Sequence, residues 1–112
     1  MLKENYPNLI GILKNQKSNS AEDWIKACQE YNINFKVIDM SSNYWLEEIQ
    51  SDTFDFFVGE PPGNYDYYKN MYDERLYIVN KVLGYKIFPN YEETIIYENK
   101  KMLSYYLKSK NI

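Results

Sequence analysis

Near the C-terminus two adjacent lysines, Lys100 and Lys101, follow the amide residue Asn99 at the start of a helical pattern. A helix start carries partial positive charge, so lysines there are electrostatically disfavoured and need a reason or a solvent-exposed position. Free backbone N–H groups and ammonium groups together favour an anion such as a phosphate. A second unusual stretch is Gly59-Glu60-Pro61-Pro62-Gly63. Its prolines restrict the backbone, and its flanking glycines permit turns or close approach. The functional reading is a rigid lip of a ligand cleft with Glu60 pointing at a substrate or a neighbouring domain. The plainer readings are a solvated lysine pair and a stiff connection.

The missing residues narrow the chemistry. The chain has no histidine, which excludes a Ser-His-Asp or Cys-His nucleophile and a zinc site of the usual Cys/His type. The single cysteine, Cys28, lies on the apolar face of a helical pattern, so it reads as inert core and fits a reducing compartment. Gly11 stands alone in an apolar run, so no Gly-x-Gly-x-x-Gly follows the first strand, and no Walker A lysine motif is present. A receiver-type phosphoacceptor would need acidic residues after the first strand and an aspartate ending the third. The chain has Lys14-Asn15-Gln16 and Gly59-Glu60 in those places. No catalytic residue and no metal ligand is expected.

These residues are positioned by alternating elements. Leu9–Leu13 is a continuous apolar run, the mark of a strand buried on both faces. Ser20-Ala21-Glu22-Asp23 reads as a capping box opening a helix, with Trp24, Cys28 and Tyr31 in one stripe beside Ile25 and Ala27. Asn32-Ile33-Asn34 ends that helix, and Phe35–Met40 is the second strand. Ser41-Ser42-Asn43 caps a short helix over Tyr44–Gln50, with Trp45, Leu46 and Ile49 inward. Phe54–Val58 is the third strand. A long helix runs from Asn64 to about Leu83, with Tyr68, Met71, Tyr72, Arg75, Val79, Val82 and Leu83 on one face. Gly84 sits where a helix-terminating glycine belongs. Tyr85–Phe88 is the fourth strand, Pro89 a stop, Tyr91–Tyr97 an amphipathic turn-rich segment, and Asn99 to about Ser109 a final helix.

Strands alternating with helices predict an α/β fold. The expected architecture is a small Rossmann-like three-layer domain of about four parallel strands, with helices on both faces. In such sheets ligands bind at the carboxyl ends of the strands. Three loops lie there, Lys14–Asn19, Asp39–Ser42 and Gly59–Gly63, and their candidates for a substrate cleft are Asn15, Ser41 and Glu60.

Within that frame, the stretch from Gly84 to Ile112 resembles the hinge of an ATP-grasp protein. There an N-terminal Rossmann-like domain of the pre-ATP-grasp type hands over to the nucleotide-binding domain. In that family an acidic or amide residue followed by lysine opens a helix, and Gly-Ile or Gly-Val lies about a turn past its end. Asn99-Lys100 and Asn111-Ile112 hold those positions here. The resemblance implies residues 1–98 as the pre-ATP-grasp domain and residues 99–112 as the first helix of a missing or truncated ATP-grasp domain. It implies a parent ligase coupling a carboxylate to an amine or similar nucleophile through an acyl phosphate, with ATP and magnesium as cofactors. Lys100 inherits an ATP contact by position, and Lys101 does not. Relatives often carry an arginine around the position of Glu60. A looser resemblance points to ATP-grasp proteins of bacterial cell-surface polysaccharide clusters. The chain alone is expected to be inactive, with no cofactor tightly bound.

Composition bounds the partners. At 112 residues, 45% hydrophobic and 26% charged, the chain is an ordinary soluble globular domain, not a disordered one. The 13 tyrosines and the lysine excess over the single Arg75 fit AT-rich codon usage. Residues 1–97 carry 9 basic and 15 acidic side chains, hence −6; residues 98–112 carry 4 and 1, hence +3. The acidic body argues against nucleic-acid binding, which needs a basic face. No apolar run approaches the ~18 residues that span a membrane, and no signal-peptide core opens the chain, so a cytoplasmic protein is expected. Met102, Leu103, Tyr105, Tyr106 and Leu107 crowd apolar surface around the last helix. That helix is expected to pack on the following ATP-grasp domain or on a second copy of the chain, or else to be mobile. Two other functions compete: a stand-alone module binding a small anion at the strand ends, and a ligand-free interaction domain packing tyrosine-rich helices on a partner.

Overall fold

A computed structural model describes residues 7–15, 20–62, 68–98 and 100–110. The elements are β1 (Ile10–Lys14), α1 (Glu22–Glu30), β2 (Phe35–Asp39), α2 (Trp45–Ile49) and β3 (Phe56–Gly59), then α3 (Lys69–Tyr77), β4 (Ile87–Phe88), α4 (Tyr91–Glu98) and α5 (Lys100–Ser109). The four strands form one sheet in the order β2-β1-β3-β4, and all three pairings are parallel. The fold is therefore α/β and Rossmann-like, as the alternating pattern predicts.

Strand residues alternate between two cores, because successive side chains point to opposite faces. Ile10, Ile12 and Val58 pack with Ala21, Cys28, Trp24 and Ile25 on the α1 face. Leu13, Ile38, Phe57 and Ile87 pack with Ile49, Tyr72, Leu76 and Val79 on the other. Each fully buried side chain of this size contributes roughly 1.5–3 kcal/mol. Gly11 lies opposite Phe57 in the ladder. A Cβ on Gly11 would stand 2.2 Å from Phe57 Cδ1, so the ring packs directly on the glycine backbone. A side chain there would displace the centre of the core.

Several local expectations change. Ser20 does not cap α1: the N-cap is Ala21, without a side-chain bond, because the Ser20 hydroxyl accepts the Asn15 N–H at 3.1 Å. Tyr31 is 58% exposed, beyond the buried part of the α1 stripe, where Asn32 turns the chain at φ 55°. Ser42 does not cap α2 directly. Its Oγ accepts from Tyr44 N–H at 3.0 Å, a turn one residue ahead of the helix. The start of the long helix expected from Asn64 falls outside the described residues, and α3 begins at Lys69. Its last part, Ile78–Val82, is a π-helix, with Leu83 N–H reaching Ile78 O at 2.8 Å. The wider turn rotates the face, so Val82 is 60% exposed rather than buried.

Gly84, at φ 76°, ends the segment as a left-handed glycine should. Asn80 then holds the next elements. Its Nδ2 donates to Tyr85 O at 2.9 Å, and its Oδ1 accepts from Tyr91 N–H at 3.0 Å. The Phe88-Pro89 peptide is cis. The turn-rich segment after it is a helix, α4, opened by a reciprocal box. Glu93 N–H donates to Asn90 Oδ1 at 2.7 Å, and Asn90 N–H donates to Glu93 Oε1 at 2.9 Å. α4 packs on α3, and α5 follows α4 after a single intervening residue. On α5, Tyr105 is 62% exposed and Leu107 half-buried. The side chains of Met102, Leu103 and Tyr106 lie outside the described residues.

Candidate functional site

The carboxyl ends of β1, β2 and β3 meet at one edge of the sheet, because all three strands run the same way. Asn15 follows β1 and is 3% exposed. Its Nδ2 donates to the backbone carbonyl of Glu60, just past β3, at 2.6 Å. A buried amide is held by such partners or it costs free energy. Asn15 therefore ties the loop after β1 to the loop after β3.

Ser41 follows β2. Its N–H and its hydroxyl both donate to Asp39 Oδ1, at 2.9 and 2.5 Å. Met40 N–H donates to Lys14 O at 2.9 Å and extends the β1–β2 ladder by one residue. Arg75 reaches across from α3. Its Nη1 donates to Met40 O at 2.8 Å and to Ser42 O at 2.9 Å, and the guanidinium lies 5.3 Å from the Trp45 ring centroid. This fork fixes the loop after β2 against α3.

Asn15 and Ser41 line a crevice with Met40, Pro62, Tyr68 and Tyr72. Tyr72 is 3% exposed, and its hydroxyl lies over Gly59, 2.9 Å from where a Cβ would be. Burial, and then the charges of Asp73 and Glu60, push its phenol well above the usual tyrosine range. The hydroxyl thus stays protonated and can donate. The crevice leaves no space wide enough for a water molecule. Small-molecule pockets run to roughly 300–1,000 Å³. The crevice is a packed seam that orders the strand-end loops and is too small to enclose a nucleotide.

Of the residues expected from sequence, Asn15, Ser41 and Glu60 come together at this edge. Asn15 and Ser41 are inward-lying. Glu60 is exposed and contributes its carbonyl to the seam. Lys100 opens α5, and its side chain lies outside the described residues, as do Asn99, Asn111 and Ile112. Tyr72 and Arg75 enter the site although sequence reasoning set them only on the core face of the helix. Their signal was weak: Arg75 is a cation among apolar positions, and Tyr72 lies one turn past the loop after β3.

Among the described residues no group of three or more His, Cys, Asp or Glu is placed to hold a metal ion. Among them no helix is long and apolar enough to cross a membrane. No protein-family model matches the chain, and no curated protein or solved structure matches it.

Proposed function

We propose that this chain is the Rossmann-like, substrate-side N-terminal domain of an ATP-dependent carboxylate–amine ligase of the ATP-grasp kind, inactive by itself. The observation that carries this reading is the order of elements at its end. A parallel β2-β1-β3-β4 sheet runs into Pro89, then the short α4, then α5 beginning at Lys100. A lysine opening a helix directly after such a sheet is where the family brings an ammonium group to ATP. The Asn15–Glu60 tie supports the same reading, because it stiffens the strand edge that would face a second domain.

On this reading the strand-end loops form one wall of a cleft. Exposed Glu60 faces the substrate, Asn15 and Ser41 hold the loops that form the wall, and Lys100 neutralises phosphate charge. The nucleotide pocket and the magnesium carboxylates belong to the domain that would follow. The chain alone then binds Mg-ATP weakly or not at all, because one lysine gives little enclosure.

Two measurements decide it. Calorimetry of residues 1–112 with Mg-ATP should show no micromolar binding; micromolar affinity would favour a stand-alone anion-binding module. The gene should continue past Ile112 for about two hundred residues, the size of a further domain, containing glutamate and asparagine metal ligands. A stop codon directly after Ile112 sinks the proposal.

A further inference from the structure

A groove of about 560 Å³ lies between α3 and α4. Its walls carry Asp73, Glu74, Tyr77, Tyr91 and Ile95. Tyr77 is 45% exposed and meets Tyr91 edge-to-face, with centroids 5.2 Å apart. Asp73 gives one carboxylate oxygen to Lys69, while its other oxygen, Oδ1, is buried without a hydrogen-bond partner among the described residues. Glu74 is exposed and has no ion-pair partner among them. The groove is therefore aromatic in its middle and acidic along one wall.

The chain carries the complement of this groove. On α5, Tyr105 is 62% exposed, and Lys108, three residues on and so on the same face, is exposed too. Lys108 has no ion-pair partner among the described residues. Charge follows the same division, −6 over residues 1–97 against +3 over residues 98–112. An exposed tyrosine beside a lysine fits an aromatic groove with a carboxylate rim.

We propose that a second copy of the chain seats the Tyr105–Lys108 ridge of its α5 in the α3–α4 groove, and receives the same contact in return. The protein is then a two-fold dimer. Reciprocal exchange covers two exposed tyrosine surfaces and pairs two carboxylate–ammonium sets at once, which is the economy of an isologous interface. The proposal stands apart from the ligase reading, because nucleotide binding does not enter its readout.

Light scattering and sedimentation of the full chain test it. The expected result is a dimer that weakens with salt. Glu74→Lys and Lys108→Glu should each weaken it about tenfold, since every rim contact occurs twice in a symmetric dimer. Each variant should keep the parent's circular dichroism, because both positions are exposed. Mixing the two variants should restore association, since the reversed charges face each other in one contact and the native charges in the other. A monomer at every concentration overturns the proposal. So does a dimer indifferent to both reversals, or folded variants whose association is not restored on mixing.

Discussion

The Asn15 side-chain amide donates to the Glu60 carbonyl at 2.6 Å, across 45 positions of sequence. This bond closes the edge of the sheet between the ends of β1 and β3. Asn15→Ala removes the donor and leaves the carbonyl facing a small void. The expected loss is about 1–3 kcal/mol of stability. Asn15→Asp should cost more, because it turns a carboxylate oxygen toward a carbonyl oxygen. Urea unfolding measures both; an Asn15→Ala variant as stable as the parent would show that the tie is dispensable.

Gly11→Ala should be among the most damaging small substitutions in the chain. The new methyl would lie 2.2 and 2.4 Å from Phe57 ring atoms, and Phe57 is fully buried. Overpacking of this kind costs about 1–3 kcal/mol. Phe57→Leu, itself destabilising, should cost less in the Gly11→Ala background than alone, because it relieves the clash. A double-mutant cycle by chemical denaturation reads that coupling. Strict additivity would mean that the ring is not the obstacle.

Arg75 serves two carbonyls and one aromatic face at once. Arg75→Ala should cost about 1.5–3 kcal/mol, the range for hydrogen bonds from a charged donor. Arg75→Lys keeps the charge but lacks the planar fork, so it should restore only part of the loss. Amide exchange between Ser41 and Trp45 should speed up in both variants. Unchanged exchange there would remove the loop-clamping role.

The Tyr72 phenol sets an alkaline limit. Its folded-state pKa is raised, first by burial and then by Asp73 and Glu60, while in the unfolded chain it ionises near pH ~10. Its contribution to stability is therefore fully present below about pH 10 and is lost as the pH rises further. Tyr72→Phe should flatten the alkaline side of the stability profile, measured by urea unfolding across that range. In the parent, the tyrosinate absorbance that Tyr72→Phe removes should appear only with unfolding. An alkaline slope that survives Tyr72→Phe would assign the limit elsewhere.

The parallel sheet was legible in the sequence because its cause is local and repeated. Ile10-Gly11-Ile12-Leu13 can be apolar on both faces only in a strand covered on both sides, and the chain alternates such runs with helical stripes. Gly84 was legible for a similar reason, since a left-handed helix end favours a residue without a Cβ. Asn15, Ser41 and Glu60 followed from the strand ends once the strands were set, without any knowledge of their partners.

What only the tertiary structure decided was which polar group takes which partner. Ser20 could have capped α1, but the Asn15 N–H reaches its hydroxyl first, and that competition is settled by packing. The periodicity that put Val82 on the buried face assumed 3.6 residues per turn, and the π-helix at Ile78–Val82 broke it. Tyr72 read as one more core tyrosine because nothing in its neighbours along the chain shows Gly59 beneath its hydroxyl. Side-chain periodicity records which face is buried; it does not record the hydrogen-bonding groups that arrive there from residues far away in the sequence.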